Sequence, residues 1–378
     1  RYEKPVDGHA PGLTGMAAKK YTEAGISTDH ECYTLEEALD KLNQGMHIII
    51  REGSAARNFD TLIPLLPKYA NKVMFCSDDL HPDKLVKGHI NLLVRRAVAF
   101  GIDPLIALQA ACVNPVNHYG LNVGLLKQGD PADLLLVDDL ENFEVLEVYI
   151  QGKQVARNGK TLIARQSSTT PNKFFTGMKA PGSIEVEAKG NQIRVICAED
   201  GQLVTGEAVM PARIERNLVV SDPFRDILKI VVVNRYQDAT PAVAFVKNFG
   251  LKQGAIASSV AHDSHNIIAV GVDDNSICSA VNEIIRHGGG VVAVDNGRTE
   301  ALSLPIAGLM STEDGYAVSE KYQAIDAMAK SMGSQLEAPF MTLSFMALLV
   351  IPSLKLSDLG LFDGEAFQFV PLFQDDQP

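Results

Sequence analysis

No Cys-x-x-Cys pair occurs in these 378 residues; the five cysteines, Cys32, Cys76, Cys112, Cys197 and Cys278, are odd in number and far apart. That excludes a zinc ribbon and a redox dithiol, and a reducing cytoplasm suits such a set best. Long hydrophobic runs are missing too. The longest, Leu343 to Ile351, is stopped by Pro352 and is too short to span a bilayer, so it is expected in a core. No block of Lys and Arg interleaved with aromatics appears, and Lys plus Arg number 34 against 46 Asp plus Glu, a net charge of -12. Such a surface repels phosphate backbones, so neither nucleic acid nor an anionic membrane is expected as a partner, whereas a small neutral base is not disfavoured. A signal peptide is not visible at the start. The first residue is Arg1, and the chain runs almost at once into an apparent strand end, so it is expected to begin inside a longer protein.

Hydrophobic residues make up 46% and charged residues 21%, globular proportions, and the length suits two or three domains. From the N-terminus a unit recurs: a short apolar strand ending in polar residues, an amphipathic helix, a turn, the next strand. Val6 leads to Asp7-Gly8-His9 and a helix over about 16–24. Ile26 leads to Thr28-Asp29-His30-Glu31 and a helix over 35–42. Met46 to Ile50 leads to Arg51-Glu52-Gly53-Ser54 and a helix over 59–66; Val73 to Cys76 leads to Ser77-Asp78-Asp79 and a helix over 90–99. His9, His30, Arg51 and Asp78 are thus 21, 21 and 27 residues apart, the length of one βα unit of a parallel barrel or doubly wound sheet. Only four units fit before the pattern changes near residue 120. Half a barrel exposes two long strand edges, so the sheet is expected to be incomplete or paired with another chain.

Short β segments follow, giving a small β module over 123–165. A polar stretch rich in Ser and Thr opens a linker over 166–189, and an α+β domain over 190–378 completes the chain. Its strands are expected at 193–196, 230–233, 267–270 and 291–294, with helices near 279–286 and 316–332.

The most informative constellation is His9, His30 and Asp78 at three strand ends. Neutral imidazole and carboxylate are the usual ligands of a catalytic divalent metal, and loops at the C-terminal ends of parallel strands converge on one mouth. The plainer reading makes each histidine a helix cap or loop residue. His262-Asp263-Ser264-His265-Asn266 is a second dense polar string: His262, Asp263 and His265 could join a metal or lean over the barrel mouth, or form a capped structural loop. His287-Gly288-Gly289-Gly290 has no Gly-x-Ser-x-Gly nucleophile to accompany it, and a tight turn explains its glycines better. A His-x-Glu with Pro-Cys-x-x-Cys is likewise absent, which sets aside the zinc site of the cytidine-deaminase type. His47, His81, His89 and His118 show no partner pattern and read as surface or packing residues.

In order and spacing, Asp7 to Leu13, Thr28 to Glu31, Ile50 to Asn58 and Cys76 to Asp79 resemble the second half of the catalytic barrel of the adenine deaminase family, in the amidohydrolase superfamily. Gly129 to Asp133, Ala257 to Asn266, His287 to Gly290, Leu304 to Ser311 and Pro339 to Phe345 extend the resemblance over nearly all of the chain. It implies a fold made of the C-terminal half of a (β/α)8 amidohydrolase barrel over 1–122, the β module, and a family-specific α+β domain. By the same resemblance His9 and His30 are metal ligands from strands five and six. Asp78, at strand eight, touches the metal site and takes the proton of a metal-activated water attacking C6 of adenine, then passes a proton toward departing ammonia. Asp79 caps or supports it. The metal implied is manganese or iron, with zinc allowed by ligand softness, and two ions in the complete enzyme. Glu31, Glu52 and Ser54 are candidate purine contacts, although a local network of Arg51, Glu52 and Arg57 explains the middle of that set equally well. The implied function is hydrolysis of adenine to hypoxanthine and ammonia in purine salvage; separately, the half-barrel edge and an apolar last domain point to a homo-oligomer. The His-x-His of strand one and the bridging glutamate of strand four have no counterpart, so the missing N-terminal half of the barrel is required. Other readings are a different aminopurine or cyclic amide as substrate, or a metal-deficient fragment acting as a binding or assembly subunit.

Overall fold

A computed structural model describes residues 4–54 and 56–374; Ala55, inside the Ile50 to Asn58 string, lies outside them. The chain forms two compact units. One comprises residues up to Leu80 with Lys87–Ser167, the other His81–Val86 with Ser168 onward.

The first unit opens with the expected alternation: β1 (Val6–Gly8), α1 (Gly15–Glu23), β2 (Ile26–Asp29), α2 (Leu35–Asn43), β3 (His47–Arg51), α3 (Phe59–Leu62) and β4 (Val73–Cys76). After the excursion containing α4 (Pro82–Leu85) come α5 (Ile90–Ala99), α6 (Pro104–Leu108) and α7 (Asn114–Tyr119). The four strands pair in parallel in the order β1-β2-β3-β4, so their C-terminal ends share one edge. Short local signals fix the helices: Thr34 accepts a hydrogen bond from Glu37 N at the start of α2, and Gly120, at φ 58°, ends α7. The 59–66 helix is tighter than the sequence pattern suggests, because Pro64 lies in its second half and the chain turns to a 3-10 geometry over Ile63–Leu65. Ile48, Ile50, Leu62, Leu66, Val73 and Ala97 make the centre of this unit's core. The module that follows is an antiparallel meander of β5 (Leu134–Val137), β6 (Val145–Ile150), β7 (Lys153–Arg157) and β8 (Lys160–Thr161).

Residues 161–173 are all exposed, but within the second unit Pro171 O already accepts from Ala307 N and Phe174 packs against a core. Lys179 there is buried, its ammonium 2.5 Å from Asp238, and Ile184 sits in a core. The connecting run is therefore shorter than 166–189, since apolar and paired residues recur before that stretch ends.

The second unit is built on a sheet of eight strands. They are β9 (Gln192–Cys197), β10 (Gly206–Pro211), β13 (Ile227–Val233), β14 (Ala242–Lys247), β15 (Ala255–Ser258), β16 (Ile267–Gly271), β17 (Gly290–Asp295) and β18 (Arg298–Ser303); the ribbon β11 (Arg213–Glu215) and β12 (Leu218–Val220) stands apart. The order is β10-β9-β14-β13-β16-β15-β17-β18, with β9 and β14 alone parallel. Both faces are covered. Ile230 and Val232 point to a core that includes α9 (Gly315–Ser331), α10 (Pro339–Phe345) and the hairpin β19 (Leu354–Ser357) with β20 (Gly360–Asp363); Val231 and Val233 point to α8 (Asp274–His287). Burial on two faces is why β13 is apolar apart from Lys229, whose buried ammonium pairs with Asp274 at 2.5 Å. Every residue of α10 is buried, and the Leu343 to Ile351 stretch is core through Leu348, with Val350 exposed; no helix among the described residues is long and apolar enough to cross a membrane.

Candidate metal centre at the strand ends

His9 follows β1, His30 follows β2, Arg51 ends β3 and Asp78 lies two residues beyond β4. Parallel pairing alone brings these four to one edge. Gly8 sets the path into His9: a Cβ there would sit 2.0 Å from the Tyr21 hydroxyl, which donates to the His9 carbonyl at 3.2 Å. Asp78 adopts a left-handed φ of 51°, a conformation that Asp and Asn tolerate better than most residues.

The two imidazole rings meet edge to face with centroids 4.8 Å apart. His9 Nδ1 lies 3.4 Å from Glu31 Oε2, and His30 Nε2 lies 3.9 Å from Asp78 Oδ2. Arg51 joins the carboxylates: its Nη1 is 2.8 Å from Asp78 Oδ2 and 3.4 Å from Glu31 Oε1. Burial, reinforced by the Arg51 guanidinium, pushes the His30 pKa down, which keeps its imidazole in the neutral form that donates a lone pair. Burial alone would lower the Arg51 pKa, but the charges of Asp78 and Glu31 outweigh it and raise it.

These residues fit a divalent cation. One donor atom each from His9, His30 and Glu31 lies within 4.8 Å of the other two, and Glu31 Oε2 is buried with no hydrogen-bond donor. A buried carboxylate oxygen in that state calls for a positive partner. A second acidic cluster, Asp29, Cys32 and Glu37, has a similar spread of donors but already holds a cation, the Lys41 ammonium, 2.6 Å from Asp29 and 2.7 Å from Glu37. Burial and the Asp29 charge also push the Cys32 thiol up, so it stays protonated.

Of the candidate purine contacts, Glu31 sits between the histidines. Glu52 pairs instead with Arg96 of α5 at 2.8 Å, and Ser54 is buried, its amide donating to Asp79 O. Arg57 closes the turn on the carbonyls of Gly53 and Ser54. His262, Asp263 and His265 belong to the second unit. There His262 stacks on Phe345 at 4.8 Å, its ring 5.5 Å from that of His265. Among the described residues they form part of no metal-binding trio.

Sequence reasoning overlooked Asn58 and Lys41. The Asn58 amide donates to the carbonyls of His30 and Cys32 and accepts from Arg51 N, and so ties β2 to β3 just below the site. Lys41 carried a weak signal: it falls on the α2 stripe that contains Ala38 and Leu42, where a lysine is out of place unless paired.

Residues 1–155 match the amidohydrolase family profile, and residues 202–368 match that of the adenine deaminase C-terminal domain. A protein of Salinibacter ruber described as adenine deaminase is 55% identical over 375 residues, 99% of this chain and 69% of that protein. Proteins of the same description from Sulfurovum sp. and Methanosarcina barkeri are 56% identical over 368 residues and 50% over 382, covering 97% and 99% of this chain and 68% and 69% of their own lengths.

Proposed function

The chain belongs to the adenine deaminase family, and from that premise we propose that it hydrolyses adenine to hypoxanthine and ammonia at the edge where β1 to β4 end. The observation that supports this most is the meeting of His9, His30 and Glu31 beside an Asp78 gripped by Arg51. The superfamily is metal-dependent, and His9 and His30, with Asp78 and Glu31 adjoining, would hold the ion. Nitrogen and oxygen donors suit manganese or iron, and zinc also. A bound divalent cation supplies a water acidic enough, with a pKa of roughly 7 in favourable sites, to attack at neutral pH.

The chain's own residues do the rest. Asp78 accepts the proton released as the water oxygen bonds to C6 of adenine. It then delivers a proton to the exocyclic nitrogen as the C6–N bond breaks, so hypoxanthine and ammonia leave and the carboxylate is restored. Arg51 holds Oδ2 of Asp78, which aims the carboxylate throughout. Of the candidate purine contacts, Glu31 lies against His9, where it would adjoin the ion, while Glu52 is paired with Arg96 and Ser54 is held in the loop after β3. The open four-stranded sheet has half the strands of a closed eight-stranded barrel, and under this reading further strands would be needed to complete the site. The enzyme works as a homo-oligomer in the cytoplasm, in purine salvage.

The test is adenine-dependent ammonia release by the purified protein with manganese or ferrous iron, against a chelator control. Asp78→Asn is expected to lower kcat by roughly 10²–10⁴-fold, with the circular dichroism spectrum unchanged. His30→Ala is expected to abolish metal-dependent turnover. Wild-type activity in either variant would overturn the assignment.

A further inference from the structure

We propose that the buried Lys41–Asp29–Glu37 triad is the device that sets the spacing of the two metal-binding histidines, making these three positioning residues for the deaminase. The inference rests on the reading of His9 and His30 as ligands. Lys41 reaches from α2 between the loops that carry them. Its ammonium donates to Ala10 O at 2.5 Å, one residue past His9, and to Asp29 at 2.6 Å, one residue before His30. Glu37, one helical turn back, receives Lys41 on Oε1 at 2.7 Å. The same oxygen accepts from Gly12 N at 2.7 Å, and Oε2 accepts from Tyr33 N at 3.1 Å. Asp29 Oδ1 in turn accepts from Glu31 N at 3.0 Å.

A single knot therefore pins both histidine loops, the first just after His9 at residues 10 and 12, the second on each side of His30 at residues 29, 31 and 33. Lys41 and Asp29 are fully buried and Glu37 nearly so. Burying one ammonium and two carboxylates is costly, and apolar side chains of the same volume commonly stabilise a core as well or better. What apolar side chains cannot do is hold four backbone polar groups of two loops at fixed separations, and ligand geometry depends on such outer contacts.

The decisive variants are Glu37→Gln, which cannot accept hydrogen bonds on both terminal atoms, and the combined Lys41→Met, Asp29→Asn, Glu37→Gln, which removes every charge while preserving shape. Metal-free full chain is titrated with manganese, free ion being read by electron paramagnetic resonance, and the cobalt form is examined by visible absorption. Both variants are expected to weaken manganese binding by roughly 10–100-fold, to alter the cobalt spectrum, and to lower kcat with little change in KM for adenine. Unchanged manganese affinity and a wild-type cobalt spectrum in a folded variant would sink the proposal; should the combined variant not fold, Glu37→Gln alone decides. His9→Ala and His30→Ala separate the two readings. If they also leave manganese binding intact, the ligand assignment has failed; if they weaken it while the triad variants do not, only the positioning role has.

Discussion

Asn58 shows how much of the site is fixed by residues that carry no charge. Its side chain meets three backbone groups, on Cys32 and Arg51 in the interior and on the half-buried His30. Asn58→Ala leaves them unpaired, at about 1–3 kcal/mol for each group that stays dry. We expect a clear fall in Tm and at least a tenfold loss of kcat, measured by thermal denaturation and ammonia release. Asp78 carries a different constraint, since its left-handed backbone makes Asn the conservative replacement. Asp78→Ala should lower stability more than Asp78→Asn does, by about 1 kcal/mol in chemical denaturation. That His9, His30 and Asp78 come together at strand ends was legible in the sequence, because each follows an apolar strand. The roles of Arg51, Asn58 and Lys41 were not, because each acts on a partner 20 or more residues away in at least one of its bonds, which no local pattern records.

Elements with a clear period were read well, and those shaped by their surroundings were not. α5 matches its expected bounds, and β13 and β16 were found from their apolar runs. β18 went unseen because it is a sheet edge with Arg298, Thr299 and Glu300 exposed, and α10 because burial all round erases the amphipathic stripe. α8 starts one turn before its apolar stretch, where the Asp273 carboxylate caps Ser276 N; Asp273→Ala is expected to cost about 1 kcal/mol and a few degrees of Tm. α9 supports a pH-dependent contact: the Tyr322 hydroxyl lies 2.5 Å from His81 Nδ1. Burial, with Lys84 and His262 nearby, pushes the His81 pKa down from 6.5 to about 3. Below pH 6.5 the unfolded chain binds a proton that the folded chain refuses. The stability is thus complete above 6.5 and is lost as pH falls from 6.5 toward 3. Tm should drop between pH 7 and pH 5, and His81→Gln should flatten that slope; an identical slope in the variant would exclude His81 as its source.

For the molecule as a whole, the charge of -12 acts on the two ligands in different ways. Adenine is neutral, so kcat/KM with saturating metal should change less than about twofold as salt rises from low to high. Divalent cations are drawn in, so the association rate of manganese should fall with ionic strength. Stopped-flow mixing and steady-state assays at two salt concentrations would check both. The parallel strand–helix alternation at the start of the chain and the change to mostly antiparallel strands after it were visible from composition and period. The true path between units was not, because His81–Val86 is a six-residue excursion with no signal of its own. That excursion limits how such a protein can be taken apart. The chain passes between the units three times, so the larger one has no continuous stretch of gene to itself. A recombinant piece beginning at Ser168 would leave Tyr322 without His81 and Glu337 without Lys84. Shuffling that piece between relatives as a cassette should yield unstable hybrids unless the six residues travel with it, which makes them a short inherited signature of a region that otherwise looks like a simple appendage.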